Sequence, residues 1–279
     1  MVTRRDWLTA ATAALTAASC GDAAFDARCL LEDLGGLPRG QAADDTPLTA
    51  AQETALDTAL AQRAAGRPLQ YILGQWEFLA LTLKVGEGVL IPRPDTELLC
   101  ETAAQRLRDV PHPRVLDLCA GSGCVGLGVA SLVRDAAVTA VELSPDAWEY
   151  LTANIAHYPA YDVTPVRADV LTDYDEFTGE YDAILSNPPY IPTADLPTLQ
   201  REVQHEPMMA LDGSADGLLF YRVIAEHWCG KLRRGGFCAV EVGVNQAADV
   251  AALFAAAGLE NTGILPDLAG IPRVVFGTK

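Results

Sequence analysis

The sequence has few basic residues, few histidines and no paired cysteines, and each shortage excludes a class of protein. Only 20 lysines and arginines stand against 37 aspartates and glutamates, which leaves a net charge of −17. The negative electrostatic field of such a protein repels phosphate backbones and disfavours an extended contact with DNA or RNA. The four histidines lie far apart in the sequence. We therefore expect no metal site and no direct DNA contact.

The cysteine pattern and the lengths of the apolar runs indicate the cellular location of the protein. Seven cysteines are scattered along 279 residues without a C-x-x-C pair, which is typical of reduced thiols in a cytoplasmic protein. No run approaches the ~18 consecutive apolar residues that a membrane span needs. Residues 3–8 resemble a twin-arginine export motif, but the weakly hydrophobic segment up to Ser19 has its apolar residues at helical spacing. We expect an amphipathic helix there, in a cytoplasmic and monomeric protein that does not bind a membrane.

The chain divides into three parts by its hydrophobic pattern. Residues 1–74 have a helical period, with Thr49 and Gln52 spaced as in a capping box. They predict a small all-α N-terminal domain that serves in substrate recognition. Residues 75–92 alternate apolar and polar positions around a Gly-Glu-Gly turn, which predicts a β-hairpin linker.

Residues 93–279 alternate strands with helices. This order predicts an α/β domain with a Rossmann-like, mostly parallel sheet covered by helices on both faces. The seven predicted strands are 114–118, 138–143, 164–167, 181–186, 237–241, 259–265 and 273–276. A single long helix is predicted over 218–232.

Polar residues lie at or just after the carboxyl ends of four of these strands. They are Asp117, Glu142, Asp169 and Asn187, and a small-residue loop, Cys119 to Cys124, comes after the first strand. Ligands of such sheets bind beyond the carboxyl ends of the strands, so these residues should face one rim. In strand–glycine loop–helix–strand units that bind dinucleotides, an acid about 20 residues after the glycine loop binds the ribose. The sequence separation between Gly121 and Glu142 is close to that spacing.

The loop sequence A-G-S-G-C-V-G lacks the G-x-G-x-x-G pyrophosphate fingerprint. NAD, FAD and S-adenosylmethionine are all candidates for such a loop, and an adenosyl ligand without phosphate fits best. Glu142 can accept from the ribose hydroxyls, Asp169 from the adenine amino group, and Asp117 or a nearby backbone group from an ammonium.

A second motif follows the strand 181–186. In Ser186-Asn187-Pro188-Pro189-Tyr190 neither proline has an N–H, so the sheet ladder must stop there. The stop leaves backbone carbonyls beside the Asn187 side-chain oxygen. Two converging acceptors suit a planar –NH2 group, and Tyr190 supplies a flat face to close the pocket. The segment Ile91 to Glu97 is expected to line the mouth of the same site.

The whole chain resembles the class I, S-adenosylmethionine-dependent protein-(glutamine-N5) methyltransferases that act on peptide chain release factors. The motifs that carry the resemblance are P-L-Q-Y-I-L-G at 68–74, I-P-R-P-D-T-E at 91–97, D-L-C-A-G-S-G at 117–123, V-E-L-S at 141–144, S-N-P-P-Y-I at 186–191, E-V-Q-H-E-P at 202–207 and D-G-L-L-F-Y-R at 216–222. The resemblance implies methylation of the glutamine in a Gly-Gly-Gln loop of a release factor.

The resemblance also implies roles for individual residues. Asn187, Pro188, Pro189 and Tyr190 would bind and activate the substrate amide, and S-adenosylmethionine would be held by Asp117, Ala120, Gly121, Ser122, Gly123, Glu142 and Asp169. The sequence differs from the family's usual pattern at Cys119-Ala120, where Gly-Thr is common, and at Ala168, where glycine is common.

Three alternative functions stay open at this point. An adenine-N6 methyltransferase would use the same acceptors, because adenine N6 is also a conjugated amine on a base that must be flipped out. A glutamine methyltransferase of a ribosomal protein shares the Asn-Pro-Pro-Tyr motif. A non-catalytic cofactor-binding module would need neither Asn187 nor Tyr190.

Overall fold

The computed structural model describes all 279 residues, Met1–Lys279. The chain forms two compact units. One comprises Met1–Gln75 and Gln200–His205, and the other comprises Trp76–Leu199 and Glu206–Lys279. The first unit is helical and the second contains the central sheet.

The helical unit is built from short amphipathic helices with clear start signals. The helices are α1 (Arg4–Ala17), α2 (Ala23–Leu34), α3 (Ala50–Ala64) and α4 (Leu69–Leu73). Trp7, Ala11 and Leu15 are buried at a spacing of four residues, which confirms the predicted amphipathic helix. Thr49 and Gln52 form the predicted capping box at the start of α3.

A buried ion-pair cluster lies inside the helical unit. Arg63 is only 3% exposed, and its Nε donates to Asp26 Oδ2 at 2.6 Å. A second guanidinium nitrogen donates to Glu202 Oε1 at 2.5 Å, which ties the segment Gln200–His205 to this unit. Burial raises the pKa of Asp26, and the hydrogen bond from Arg63 opposes that rise.

The α/β unit follows the predicted plan. Its strands are the hairpin pair β1 (Gln75–Phe78) and β2 (Leu81–Lys84), followed by β3 (Arg114–Leu118), β4 (Ala137–Glu142), β5 (Asp162–Arg167), β6 (Tyr181–Ser186), β7 (Leu232–Glu241), β8 (Glu260–Pro266) and β9 (Pro272–Thr278). Its helices are α5 (Pro94–Leu107), α6 (Cys124–Leu132), α7 (Pro145–His157), α8 (Met208–Leu211), α9 (Leu219–Val223) and α10 (Ala247–Ala256).

The large sheet has seven strands in the order β5-β4-β3-β6-β7-β9-β8. The first five are parallel, and β9 is antiparallel to both β7 and β8. Successive side chains of a strand point to opposite faces. Val115 accordingly packs in one hydrophobic core with α5, α6 and α7, and Leu116 packs in the other with α9 and α10. This confirms the predicted Rossmann-like sheet with helices on both faces.

Three local predictions are wrong. The hairpin turns at Leu79-Ala80, between β1 and β2, and not at the predicted Gly-Glu-Gly turn, and residues 85–92 form no strand because Val85 and Val89 pack against Ala147 of α7 instead. The predicted helix over 218–232 is instead α9, a π-helical turn Ile224–Trp228 and a 3₁₀ turn Cys229–Lys231. The wider turn lies between two buried rings, Tyr221 and Trp228, which donate to the carbonyl oxygens of Glu241 and Val170 at 2.9 Å each. Strand β7 begins five residues before the predicted 237, and a register shift against β6 accommodates Gly235 at φ +80°.

The helix α5 starts with proline at its first position. Arg93 is the N-cap residue and Pro94 follows it, although neither side chain caps the helix. Proline suits this position because the missing N–H has no intrahelical partner in any case. Asp95 and Thr96 are therefore free to use their side chains elsewhere.

All seven cysteines are free thiols. None of the helices combines the length and the apolar character that a membrane span requires.

Replacing Arg63 by methionine tests the buried cluster. Arg63→Met removes the partner of a buried carboxylate, so we expect the free energy of unfolding to fall by about 3–5 kcal/mol. Urea denaturation of the full chain, followed by tryptophan fluorescence, measures the change. Arg5→Met is the matched control, because Arg5 and Asp45 are exposed and 3.5 Å apart. An exposed pair contributes less than about 1 kcal/mol. Equal losses in the two variants would contradict a structural role for the cluster.

Candidate active site

The loop that joins β3 to α6 folds over the end of the neighbouring strand β4. Ala120 N–H donates to the Val141 carbonyl oxygen at 2.9 Å, and Gly121 N–H donates to Glu142 Oε2 at 2.7 Å. Gly121 has a φ of +56°, a left-handed conformation that glycine adopts without a Cβ clash. The small residues of the loop are thereby presented to a cavity at the carboxyl edge of the sheet.

Glu142 ends β4 and orders the backbone on both sides of it. Its Oε1 accepts from Ser144 N–H at 2.7 Å, while Oε2 accepts from Gly121. Burial raises the pKa of Glu142, and the hydrogen bonds from Ser144 and Gly121 act against that rise. Each carboxylate oxygen keeps a further lone pair, so Glu142 can still accept from the hydroxyls of a ligand.

Asp169 follows β5 and is half-buried. Its Oδ1 accepts from Leu171 N–H at 2.8 Å, and its own N–H donates to Asp173 Oδ2 at 2.8 Å. These bonds hold the turn after the strand and leave Oδ2 without a partner in the protein. Asp169 can therefore accept a hydrogen bond from a ligand at the rim.

Strand β6 pairs with β3 and β7 as far as Ser186, and Asn187 follows at the edge of the sheet. The Asn187 side chain reaches α5, where its Nδ2 donates to Thr96 Oγ1 at 3.1 Å. Its Oδ1 makes no hydrogen bond within the protein. The predicted acceptor is thus present, and it belongs to a residue that lines the cavity.

Tyr190 supports the loop from behind. Its hydroxyl donates to Glu241 Oε1 at 3.3 Å, and its carbonyl oxygen accepts from Gln246 Nε2 at 2.8 Å. Burial, followed by the nearby Glu241 carboxylate, raises the pKa of Tyr190 well above its usual range. The ring is therefore a neutral, anchored support.

One cavity brings together seven of the residues predicted from sequence. They come from the ends of β3, β4, β5 and β6, and they are Ala120, Gly121, Ser122, Glu142, Asp169, Asn187 and Pro189. Arg93 and Thr96 also line it, as expected for the segment 91–97.

Four predicted site residues do not line this cavity. They are Asp117, Gly123, Pro188 and Tyr190. Gly123 has a φ of +83°, and a Cβ there would lie 2.8 Å from Leu151 Cδ1, so this glycine shapes the loop. Pro188 is buried. Direct contacts of these four with a ligand stay predictions.

Asp117 is fully buried behind the glycine loop. Its Oδ2 accepts from Gly126 N–H at 2.8 Å and anchors the first turn of α6. Burial raises the pKa of Asp117 to about 8. Asp117 Oδ1 and Ser122 Oγ are both buried without a hydrogen-bond partner. Native proteins satisfy nearly all such atoms, so the pair indicates an interaction that the protein alone does not supply.

Several lining residues were not among the predicted site residues. They are Cys119, Cys124, Leu143, Leu171, Met209 and Phe220. Glu241, which stands behind the wall, was also missed. Its position at the end of β7 matches that of Glu142 at the end of β4, and that parallel was the available clue.

The lining fits S-adenosylmethionine. Glu142 and Asp169 provide acceptors for hydroxyl and amino groups, and apolar side chains such as Leu143 and Leu171 provide walls for a ring. Arg93 is the cation among the lining residues, and it is already bound to Glu206. The cavity thus suits an adenosyl group that carries a positive charge and no phosphate.

Two family models match the chain. The model described as "PrmC N-terminal domain" matches residues 6–74, and the one described as "Conserved hypothetical protein 95" matches residues 70–216.

Curated relatives match most of the chain. A release factor glutamine methyltransferase of Geobacter sulfurreducens is 42% identical over 84% of this chain and 81% of its own length. One from Deinococcus radiodurans is 37% identical over 97% of this chain and 96% of its own. Among solved structures, the catalytic domain of hMettl16 in complex with an RNA hairpin matches with a TM-score of 0.60 at 12% identity and covers 91% of each chain. At that identity the match shows the fold alone.

Glu142→Gln tests the acid at the end of β4. Glu142 accepts from the N–H groups of Gly121 and Ser144. A glutamine at this position has one amide oxygen and one –NH2 group, so it can accept from only one of the two. We expect the Kd for S-adenosylmethionine, measured by calorimetry, to rise about tenfold or more. Glu149→Gln is the matched control, since Glu149 is exposed on α7 and does not line the cavity. An unchanged Kd in Glu142→Gln would show that this carboxylate does not serve the cofactor.

Proposed function

Because the chain belongs to the release factor glutamine methyltransferase family, we propose that it methylates the side-chain amide nitrogen of the glutamine in the Gly-Gly-Gln loop of a peptide chain release factor. One observation carries this proposal. Asn187, whose amide oxygen has no partner in the protein, lines the same cavity as Glu142 and Asp169.

S-adenosylmethionine is the proposed methyl donor, and when bound it supplies an electrophilic methyl group on a sulfonium. Glu142 would accept from its ribose hydroxyls and Asp169 from its adenine amino group. The backbone of Ala120, Gly121 and Ser122 would pack against it. The charge of the two acids favours a cation at this rim.

The chemical difficulty lies in the substrate. A carboxamide nitrogen is a poor nucleophile because its lone pair is delocalised into the carbonyl group. An acceptor on each N–H returns electron density to the nitrogen and binds more strongly as positive charge develops there. Asn187 Oδ1 and the main-chain carbonyl of Pro188 are the proposed acceptors. They act as preorganised dipoles that favour the transition state over the ground state.

The same contacts position the substrate. Two hydrogen bonds to the substrate amide direct its nitrogen into the cofactor cavity. The entropy lost in orienting the substrate is then met on binding, which lowers the activation barrier of methyl transfer. Pro189 forms part of that wall, and Tyr190 supports the loop. The methylated amide loses its extra proton readily to water, so no general base is needed, and no histidine lines the cavity.

The proposal extends to the rest of the chain. We assign the helical unit to recognition of the release factor, and we expect a monomer that works in the cytoplasm and binds neither DNA nor membranes. Methylation of adenine N6 is disfavoured by the net charge of −17. The relatives are release factor glutamine methyltransferases, which favours a release factor over a ribosomal protein as the substrate.

Asn187→Ala tests the mechanism. The variant loses one acceptor and should transfer the labelled methyl group to purified release factor about a hundredfold more slowly or worse, in line with the loss of one preorganised hydrogen bond. Its Kd for S-adenosylmethionine should stay within about twofold of the wild-type value, because Asn187 faces the substrate. A rate within a few-fold of the wild type would contradict the role of Asn187.

The substrate is tested in the same assay. Release factor whose Gly-Gly-Gln glutamine is changed to alanine should accept no label, and duplex DNA should accept none. Label on DNA would favour the adenine reaction, and label on neither would favour a non-catalytic module.

A further inference from the structure

Three side chains from different elements form a continuous hydrogen-bond chain that begins in the wall of the cavity. Asn187 follows β6, Thr96 lies in the first turn of α5, and Glu241 ends β7. Asn187 Nδ2 donates to Thr96 Oγ1 at 3.1 Å, and Thr96 Oγ1 donates to Glu241 Oε2 at 2.6 Å. Thr96 and Glu241 are each 1% exposed, so water does not compete for the bond between them. We call this chain the Asn187–Thr96–Glu241 relay.

The relay has one direction because a threonine hydroxyl has a single hydrogen. An ionised carboxylate only accepts, so the hydrogen of Thr96 must point to Glu241. Thr96 Oγ1 can then only accept from Asn187, which requires the –NH2 side of the Asn187 amide to face Thr96. If the amide were flipped, Asn187 Oδ1 would face Thr96 Oγ1, whose hydrogen is already donated to Glu241. Two buried acceptors would then face each other without a hydrogen between them, which is unfavourable.

We propose that Thr96 and Glu241 are positioning residues, and that the relay holds the Asn187 Oδ1 towards the substrate amide. The inference rests on the proposed function, in which Asn187 accepts from a substrate N–H. A flipped Asn187 would present a donor to that N–H and repel it. The relay thus decides whether the site can hold an –NH2 group at all.

The surroundings of Glu241 set its charge. Thr96 and Asp95 face it from α5, Tyr190 faces it from the loop after β6, and Arg273 faces it from β9. Arg273 is also paired with Asp95 at 3.1 Å and with Asp267 at 3.2 Å. Burial raises the pKa of Glu241 to about 7, while the bond from Thr96 and the charge of Arg273 oppose the rise.

Protonation reverses the relay. A protonated Glu241 can donate to Thr96 Oγ1, which frees the threonine hydrogen to point at Asn187 and allows the amide to flip. Active geometry therefore belongs to the ionised form. With a pKa of about 7, the ionised fraction falls about tenfold between pH 8 and pH 6. The single-turnover rate of methyl transfer should fall with it.

Thr96→Val is the primary test, because it keeps the shape of the side chain and removes the hydroxyl. We expect the single-turnover rate at pH 8 to drop about tenfold or more, with the Kd for S-adenosylmethionine within about twofold of wild type. Thr96→Ser restores the hydroxyl and should recover most of the rate. Thr102→Val is the matched control on the same helix, since the Thr102 hydroxyl donates only to its own helix, at the Leu98 carbonyl oxygen.

The pH profile separates positioning from a general loss of structure. Wild type and Thr102→Val should show the fall in rate below about pH 7. Glu241→Gln removes the titrating proton, so its rate should lie below the wild-type rate at pH 8 and should not change between pH 6 and pH 8. This second variant also tests the relay if Thr96→Val does not fold.

The outcomes are distinct from those of the proposed function. If wild type does not methylate release factor, the proposed function fails. If wild type is active and Thr96→Val keeps the wild-type rate, or Glu241→Gln keeps the wild-type fall in rate below pH 7, the relay is wrong although the function stands. Loss of cofactor affinity in step with the rate would also overturn it, because the effect would then be structural.

Discussion

Strand β6 ends at Ser186 because two prolines follow Asn187, and a residue without an N–H cannot extend a sheet ladder. The stop places Asn187 at the edge where β3, β4 and β5 also end, since these strands run parallel to β6. The glycine loop, Glu142 and Asp169 consequently share one cavity with Asn187. The position of the site thus depends on the end of one central strand.

Buried acids are concentrated around this edge. Asp117, Glu142 and Glu241 are each less than 10% exposed, and burial is the main cause of the raised pKa of each. Each carboxylate is held by hydrogen bonds from backbone or side-chain groups of a neighbouring element. Burying a charge is unfavourable unless such bonds compensate for it. With their oxygens fixed by these bonds, the acids provide ordered acceptors around a site proposed for a cation and an amide.

The sequence predicted the fold well where periodicity is strong. The alternation of strands with helices, the period of four around Trp7 and the Thr49 capping signal all depend on local contacts, and the structure confirms them. It predicted poorly where the local pattern is overridden by packing. A continuous helix over 218–232 satisfies helical spacing, but the buried rings of Tyr221 and Trp228 bond to distant carbonyls, and a π turn lies between them. The same holds for Gln200–His205, which joins the helical unit through Glu202 and Arg63, 139 positions apart.

The sequence by itself determined the polar residues near the ends of the central strands, and with them the acceptors at the cavity, because proline, glycine and strand-end acids act through their own covalent chemistry. The motif order also determined the family. Only the tertiary structure decided which of these residues reach the cavity and which stand behind it, as Asp117 and Tyr190 do. It alone brought Thr96 and Glu241, 145 positions apart, to 2.6 Å of each other. No local pattern encodes that contact, since it arises from packing α5 against the carboxyl end of β7.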